Sequence, residues 1–141
     1  MDQLEFKRRT KEFGTAVIAI VDGLPATRSA DVVSRQLLRS ATSVGANYRA
    51  ACRARSRAEM FAKLSIVEEE TDESLYWLEL IEEAGLLSPE QLGPVYREGS
   101  EILAMVVASK KTLRVRLNEE RNRTPNRQSS IVNRQSPGAL P

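Results

Sequence analysis

The stretch RQLLRSATSVGANYRAACRARSRAEMFAKLSIV, residues 35–67, decides the fold. Leu37, Ala41, Val44, Tyr48 and Ala51 recur every three or four positions, which is one face of an α-helix. The pattern stops at the arginine-rich RARSR (53–57) and resumes at Phe61, Leu64 and Val67. Ser56 and Glu59 stand at the S-x-x-E spacing of a capping box, in which a hydroxyl and a carboxylate satisfy backbone N–H groups at a helix start. Two amphipathic helices joined by so short a link fold back on one another as antiparallel neighbours. A hairpin centred near residue 56 brings Tyr48 to Leu64, Val44 to Val67 and Leu37 to Leu75. The same register sets Arg39 opposite Asp72 or Glu73 as an interhelical ion pair.

Outward from this hairpin, two more helices can be read. The first spans about 3–22, with Asp2 and Glu5 as a capping pair, Phe6, Phe13, Val17, Ile20 and Leu24 on its inner face, and Gly23 and Pro25 ending it. The second runs roughly 30–54 with Ser29 as its cap, and the third continues through Thr71, Leu75, Leu78 and Ile81 to Gly85. The fourth opens with Ser88 as cap, Pro89 in the first turn and Gln91 completing a box, then carries Val95, Ile102, Val106, Ser109 and Leu113 inward and ends near 118. A second hairpin near 87 brings Leu78 to Val95, Thr71 to Ile102 and Val67 to Val106. Gly45 costs about 1 kcal/mol inside a helix relative to alanine; close approach of a neighbouring helix, or a local kink, accounts for it. The expectation is an all-α, antiparallel up-down-up-down four-helix bundle over residues 1–117. A disordered low-complexity tail follows over 118–141, where NRQS occurs at 126–129 and 133–136 among Pro125, Pro137 and Pro141.

Composition narrows the function. The 141 residues suit one domain, and 41% hydrophobic with 28% charged residues suits a soluble chain. No apolar run is long enough for a membrane span, MDQLEFKRR lacks the apolar stretch of a signal peptide, and Cys52 stands alone, so a cytoplasmic protein with no membrane contact is expected. There is no histidine, which excludes the Glu-x-x-His pairs of di-iron bundles and any Cys–His nucleophile. The acids of EEETDE (68–73) point in different directions around a helix and suit ion pairing with the second helix better than a metal. Cys52 reads as a small core residue and Trp77 as a packing residue beside Leu78. No catalytic residue, metal site or cofactor is called, and the chain is not read as an enzyme.

Charge is laid out in blocks. Residues 28–63 hold eight basic and two acidic side chains, residues 68–101 one basic and eleven acidic, and residues 110–141 eight basic and two acidic. In an up-down bundle, residues 1–14, 47–63 and 110–117 share one pole. That pole collects Lys7, Arg8, Arg9 and Lys11 with Arg49, Arg53, Arg55, Arg57, Lys63, Lys110, Lys111, Arg114 and Arg116, thirteen cations against four acids. Residues 19–35 and 76–98, at the opposite pole, hold three basic and seven acidic side chains. A concentrated basic pole attracts phosphates and releases counterions, so the nine cations from Arg49 to Arg116 are candidate RNA or DNA contacts. The plainer alternative is that these cations complement helix C-termini and pair with neighbouring acids.

The strings 35–67 and TDESLYWLELIEEAGLLS (71–88) resemble the core of the four-helix-bundle proteins encoded in intervening sequences of bacterial large-subunit ribosomal RNA genes. The accessory protein of diversity-generating retroelements is similar. The resemblance spans roughly residues 4–115 and implies a four-helix bundle, a ring-like homopentamer and no catalytic activity. The chain departs from it twice: Met60 then Phe61 follow Glu59 where the family usually has an aromatic directly, and Glu68 stands where it usually has an apolar residue. The function expected is a non-catalytic oligomeric scaffold binding RNA or DNA nonspecifically through the basic pole. The alternative is a protein-interaction adaptor, for example for a polymerase or reverse transcriptase, whose charge serves assembly only.

Overall fold

Four side chains start the four helices. Asp2 accepts from the Leu4 N–H at 3.0 Å and opens α1 (Gln3–Asp22). Thr27, rather than Ser29, caps α2 (Arg28–Cys52), accepting from the Ala30 N–H at 3.3 Å; the helix therefore begins two residues before the expected start. Ser56 accepts from the Glu59 N–H at 3.1 Å at the head of α3 (Arg57–Glu83), and the Glu59 carboxylate reaches back to the Arg55 N–H. Ser88 and Gln91 form the full reciprocal box ahead of α4 (Pro89–Gln135): each side chain accepts from the other residue's N–H, at 3.2 and 2.9 Å. Gly85 follows α3 with a φ of 69°, a left-handed conformation that costs a residue without a Cβ nothing. These coordinates are a computed structural model; it describes residues 2–135, with side chains through Arg123.

The helices pack in chain order, α1 on α2, α2 on α3 and α3 on α4, and α4 closes the ring against α1 while the diagonal pairs stay apart. This is the antiparallel four-helix bundle. Its core is aliphatic: Val17, Leu37, Val44, Leu64, Val67, Leu78, Ile81, Ile102 and Val106 are shut from solvent, with Phe6 and Phe13 beside them. Phe6 meets Tyr48 edge-on at 4.5 Å between centroids and locks α1 to α2. Thr10, Ser40, Thr71 and Ser74 are the buried polar side chains among the described residues. Each hydroxyl donates to a carbonyl of the preceding turn, and Ser74 also meets Ser40 across the α2–α3 seam at 2.9 Å. That contact and the Arg39–Glu73 pair fix the hairpin register near residue 56.

Gly45 is explained by close approach. A Cβ there would stand 3.2 Å from the Thr10 carbonyl oxygen, so α1 and α2 touch backbone to backbone at this level. The expected end of the last helix near 118 is corrected. α4 continues to Gln135, although Leu117 is its last residue packed against the core. Residues 118–123 are exposed, so local helix propensity and an ion pair between Glu120 and Arg57 hold the extension rather than burial. The part of the expected tail at 136–141 lies outside the described residues.

Candidate nucleic-acid interface

The bundle divides its cations into two kinds. Some pair with acids, at the basic pole (Arg8 with Glu12, Arg9 with Glu98 and Glu101) as well as away from it. Arg9, only 21% exposed, donates to Glu98 at 2.8 Å and to Glu101 at 2.7 Å, clamping α1 to α4, and this pairing raises its already high pKa. Arg39 donates to Glu73 at 2.5 Å and Glu70 at 3.2 Å. Its hydrogen bond, helped by the Trp77 indole N–H at 3.2 Å, holds the Glu73 carboxyl below the usual carboxylate range. Asp72 is not Arg39's partner. Positions 70, 73 and 77 share the turn-spaced face toward α2, whereas Asp72 lies on the exposed face of α3. Arg35 pairs with Asp31 at 3.1 Å.

The nine candidate contacts fall into three groups. Arg57 pairs with Glu120, and Lys110 donates to Glu68 at 2.5 Å while lying 5.0 Å over the Phe61 ring. Arg114 lies over the same ring at 5.1 Å. These three are engaged within the bundle. Arg49 and Arg53 line a groove of about 690 Å³ along the outer face between α1 and α2, with Lys7, Arg8 and Lys11 on its other bank. Arg55, Lys63, Lys111 and Arg116 complete the set at the pole. Among the described residues, Lys7, Lys11, Arg49, Arg53, Arg55, Lys63, Lys111 and Arg116 form no ion pair, and all but the half-buried Lys63 are exposed.

The groove itself was not legible in the sequence. Its floor is small and weakly polar (Gly14, Thr42, Gly45, Ala46), and its ends carry Leu4 and Ile18, 74% and 44% exposed. Among the described residues no carboxylate lines it. The opposite pole has the reverse character: a hollow of about 830 Å³ at the α3–α4 turn presents Glu79, Glu82 and Glu83, with Tyr96 donating to Glu79 at 3.1 Å. Burial and that carboxylate both push the Tyr96 pKa up. A phosphate is repelled there and attracted at the basic pole. Cys52 is a half-buried free thiol packed against the core beside Tyr48, whose pKa rises chiefly through burial. No group of three or more His, Cys, Asp or Glu side chains able to hold a metal is found among the described residues.

Residues 2–108 match the family described as 23S rRNA-intervening sequence protein. The chain belongs to that family. A crystal structure from Bacteroides thetaiotaomicron, described as a protein with unknown function from the S23 ribosomal protein family, is 34% identical and superposes with a TM-score of 0.71. The likeness covers 75% of this chain and 98% of that one. Among curated proteins none matches. The family match ends inside α4, so Lys110, Lys111, Arg114 and Arg116 lie beyond it. Lys110 sits over the Phe61 ring and on the Glu68 carboxylate, so one side chain of α4 engages two positions of α3. No helix among the described residues is long and apolar enough to cross a membrane.

Proposed function

We propose that this family member is a non-catalytic, self-associating scaffold that binds RNA or DNA through phosphates at its basic pole, without reading base sequence. The observation that carries this reading is the unequal use of cations. Arg9, Arg35 and Arg39 are matched to acids, whereas eight cations gathered toward one pole form no ion pair among the described residues. Exposed like charges repel one another, so a cluster without counter-charges favours a polyanionic partner that releases its own counterions on binding. Among the described residues no exposed aromatic ring stands beside these cations for a base to stack on; Phe61 is already covered by Lys110 and Arg114. Phosphate contact without base stacking gives affinity with little sequence preference.

The test is a titration of the purified protein with a mixed-sequence single-stranded RNA and a mixed-sequence DNA duplex at low and moderate salt. Binding of both, falling steeply with salt, is the expected result. No binding to either at low salt overturns the reading in favour of a protein-interaction adaptor.

A further inference from the structure

The fold leaves the end of α4 without a structural use. Leu117 is the last residue of α4 packed on the core, yet the helix runs to Gln135. Glu120 pairs with Arg57, the first residue of α3, so residues 121–135 run past the start of α3. They add about 22 Å of helix. Residues 118–123 are exposed all round and bury nothing. The whole extension lies beyond the family match, which ends at residue 108.

The chemistry of this segment is one-sided. From Arg121 onward the chain carries Arg121, Arg123, Arg127 and Arg134 and no acid. Arg121 and Arg123 are exposed and form no ion pair among the described residues. Asparagine and glutamine supply five more positions, and their amides, like guanidinium forks, hydrogen-bond phosphate oxygens. A helix that docks in a protein groove needs apolar anchors one and two turns apart. Pro125 apart, the only apolar residues from 118 to 135 are Ile131 and Val132, adjacent in sequence, so no such stripe exists. Shape points the same way as charge. A helix with its side chains is about 10–12 Å across, and the major groove of B-form DNA is about 12 Å wide. A helix free of neighbours enters that groove without hindrance. The major groove of duplex RNA is too deep and narrow to admit it.

We infer that the α4 extension lies in the major groove of duplex DNA and holds phosphates of its two walls through arginines. The bundle meets the groove's rim. The Arg57–Glu120 pair fixes the root of the extension beside the α2–α3 turn, so Arg53 and Arg55 face the backbone where the helix enters. This inference rests on phosphate binding at the basic pole in the proposed function and adds duplex geometry to it. The pole alone binds any polyanion; the extension favours DNA over RNA when both are double-stranded.

The experiment is a titration of the full chain with three duplexes of one mixed sequence: DNA, RNA, and DNA with bulky substituents at pyrimidine C5, which fill the major groove. The wild type is expected to bind the plain DNA at least about tenfold more tightly than either of the others. Arg121→Glu with Arg123→Glu is expected to remove that preference and to reduce the salt slope on plain DNA by about one unit or more. A chain ending at Asn118, with its helix content checked by circular dichroism, is expected to bind all three duplexes alike at low salt. Equal wild-type affinity for plain and filled DNA, or a preference for DNA over RNA that survives both variants, overturns the inference and leaves the pole reading intact. Failure of the folded, shortened chain to bind any duplex at low salt overturns the pole reading, and the inference with it.

Discussion

The α2–α3 seam and the basic pole are built from the same residue types and differ in how completely those residues are matched. At the seam, Leu37, Val44, Leu64 and Val67 are fully buried, the hydroxyls of Ser40 and Ser74 meet, and Arg39 finds two carboxylates. At the pole, Arg49, Arg53, Arg55 and Arg116 are exposed and form no ion pair among the described residues. The seam holds the fold together; the pole contributes little to it. The difference teaches that, in a chain this rich in arginine, a cation's partner and not its presence separates a structural role from a binding one.

The largest effect is expected where the seam is most complete. Leu64→Ala removes buried methyl groups that nothing fills and is expected to cost about 2–5 kcal/mol of unfolding free energy in urea. Arg55→Ala, at the turn below it, is expected to stay within about 0.5 kcal/mol of wild type. Equal losses at the two positions would erase the distinction between the regions.

Gly45→Val tests the backbone contact between α1 and α2. A Cβ already meets the Thr10 carbonyl oxygen at 3.2 Å, and that oxygen belongs to a packed helix that cannot yield as a flexible side chain would. A loss of about 1–3 kcal/mol is expected from overpacking, despite the better helix propensity of valine. A variant as stable as wild type in thermal unfolding would show that the two helices are free to separate there.

A smaller effect is expected at Arg39. The pair with Glu73 is half exposed, so Arg39→Ala is expected to cost no more than about 1 kcal/mol at neutral pH. Because the pair lowers the folded-state pKa of Glu73 below its unfolded value, its contribution is fully present above the ordinary carboxylate range. It is lost as pH falls through the lowered pKa. Wild type and variant are therefore expected to converge in stability in acid, and a gap that persists well below the carboxylate range would assign the effect to lost packing of the arginine stem.

Much of this was written in the sequence because the signals were local. Ser56 with Glu59, Ser88 with Gln91, and the recurrence of Leu37, Val44, Leu64 and Val67 each declare themselves within a few residues. Thr27 was hidden by Ser29, since either hydroxyl can cap and only the backbone turn after Pro25 chooses between them. Gly99 gave no sign inside its polar surroundings, yet a Cβ there would strike Leu75 and Phe13, so it sets the approach of α4. The roles of Arg57 and Lys110 depended on Glu120 and Glu68, 63 and 42 residues away along the chain, and charge counting cannot see such pairings. The groove was invisible for a similar reason: Gly14, Thr42 and Ala46 become a floor only when two helices lie side by side. The reach of α4 past 118 was not legible because residues 118–123 are exposed and bury no apolar face, so the periodic signal that marks a helix stops there.

The most direct measurement of the central claim is the slope of log affinity against log salt for a mixed-sequence RNA, compared between two double variants. Arg55→Glu with Arg116→Glu reverses cations that form no ion pair among the described residues; Arg35→Glu with Asp31→Arg inverts a matched pair outside the pole. The account predicts that the first weakens binding and reduces the slope by about one unit or more, while the second leaves both near wild type. Equal slopes for wild type and the first variant, with binding intact, would contradict it.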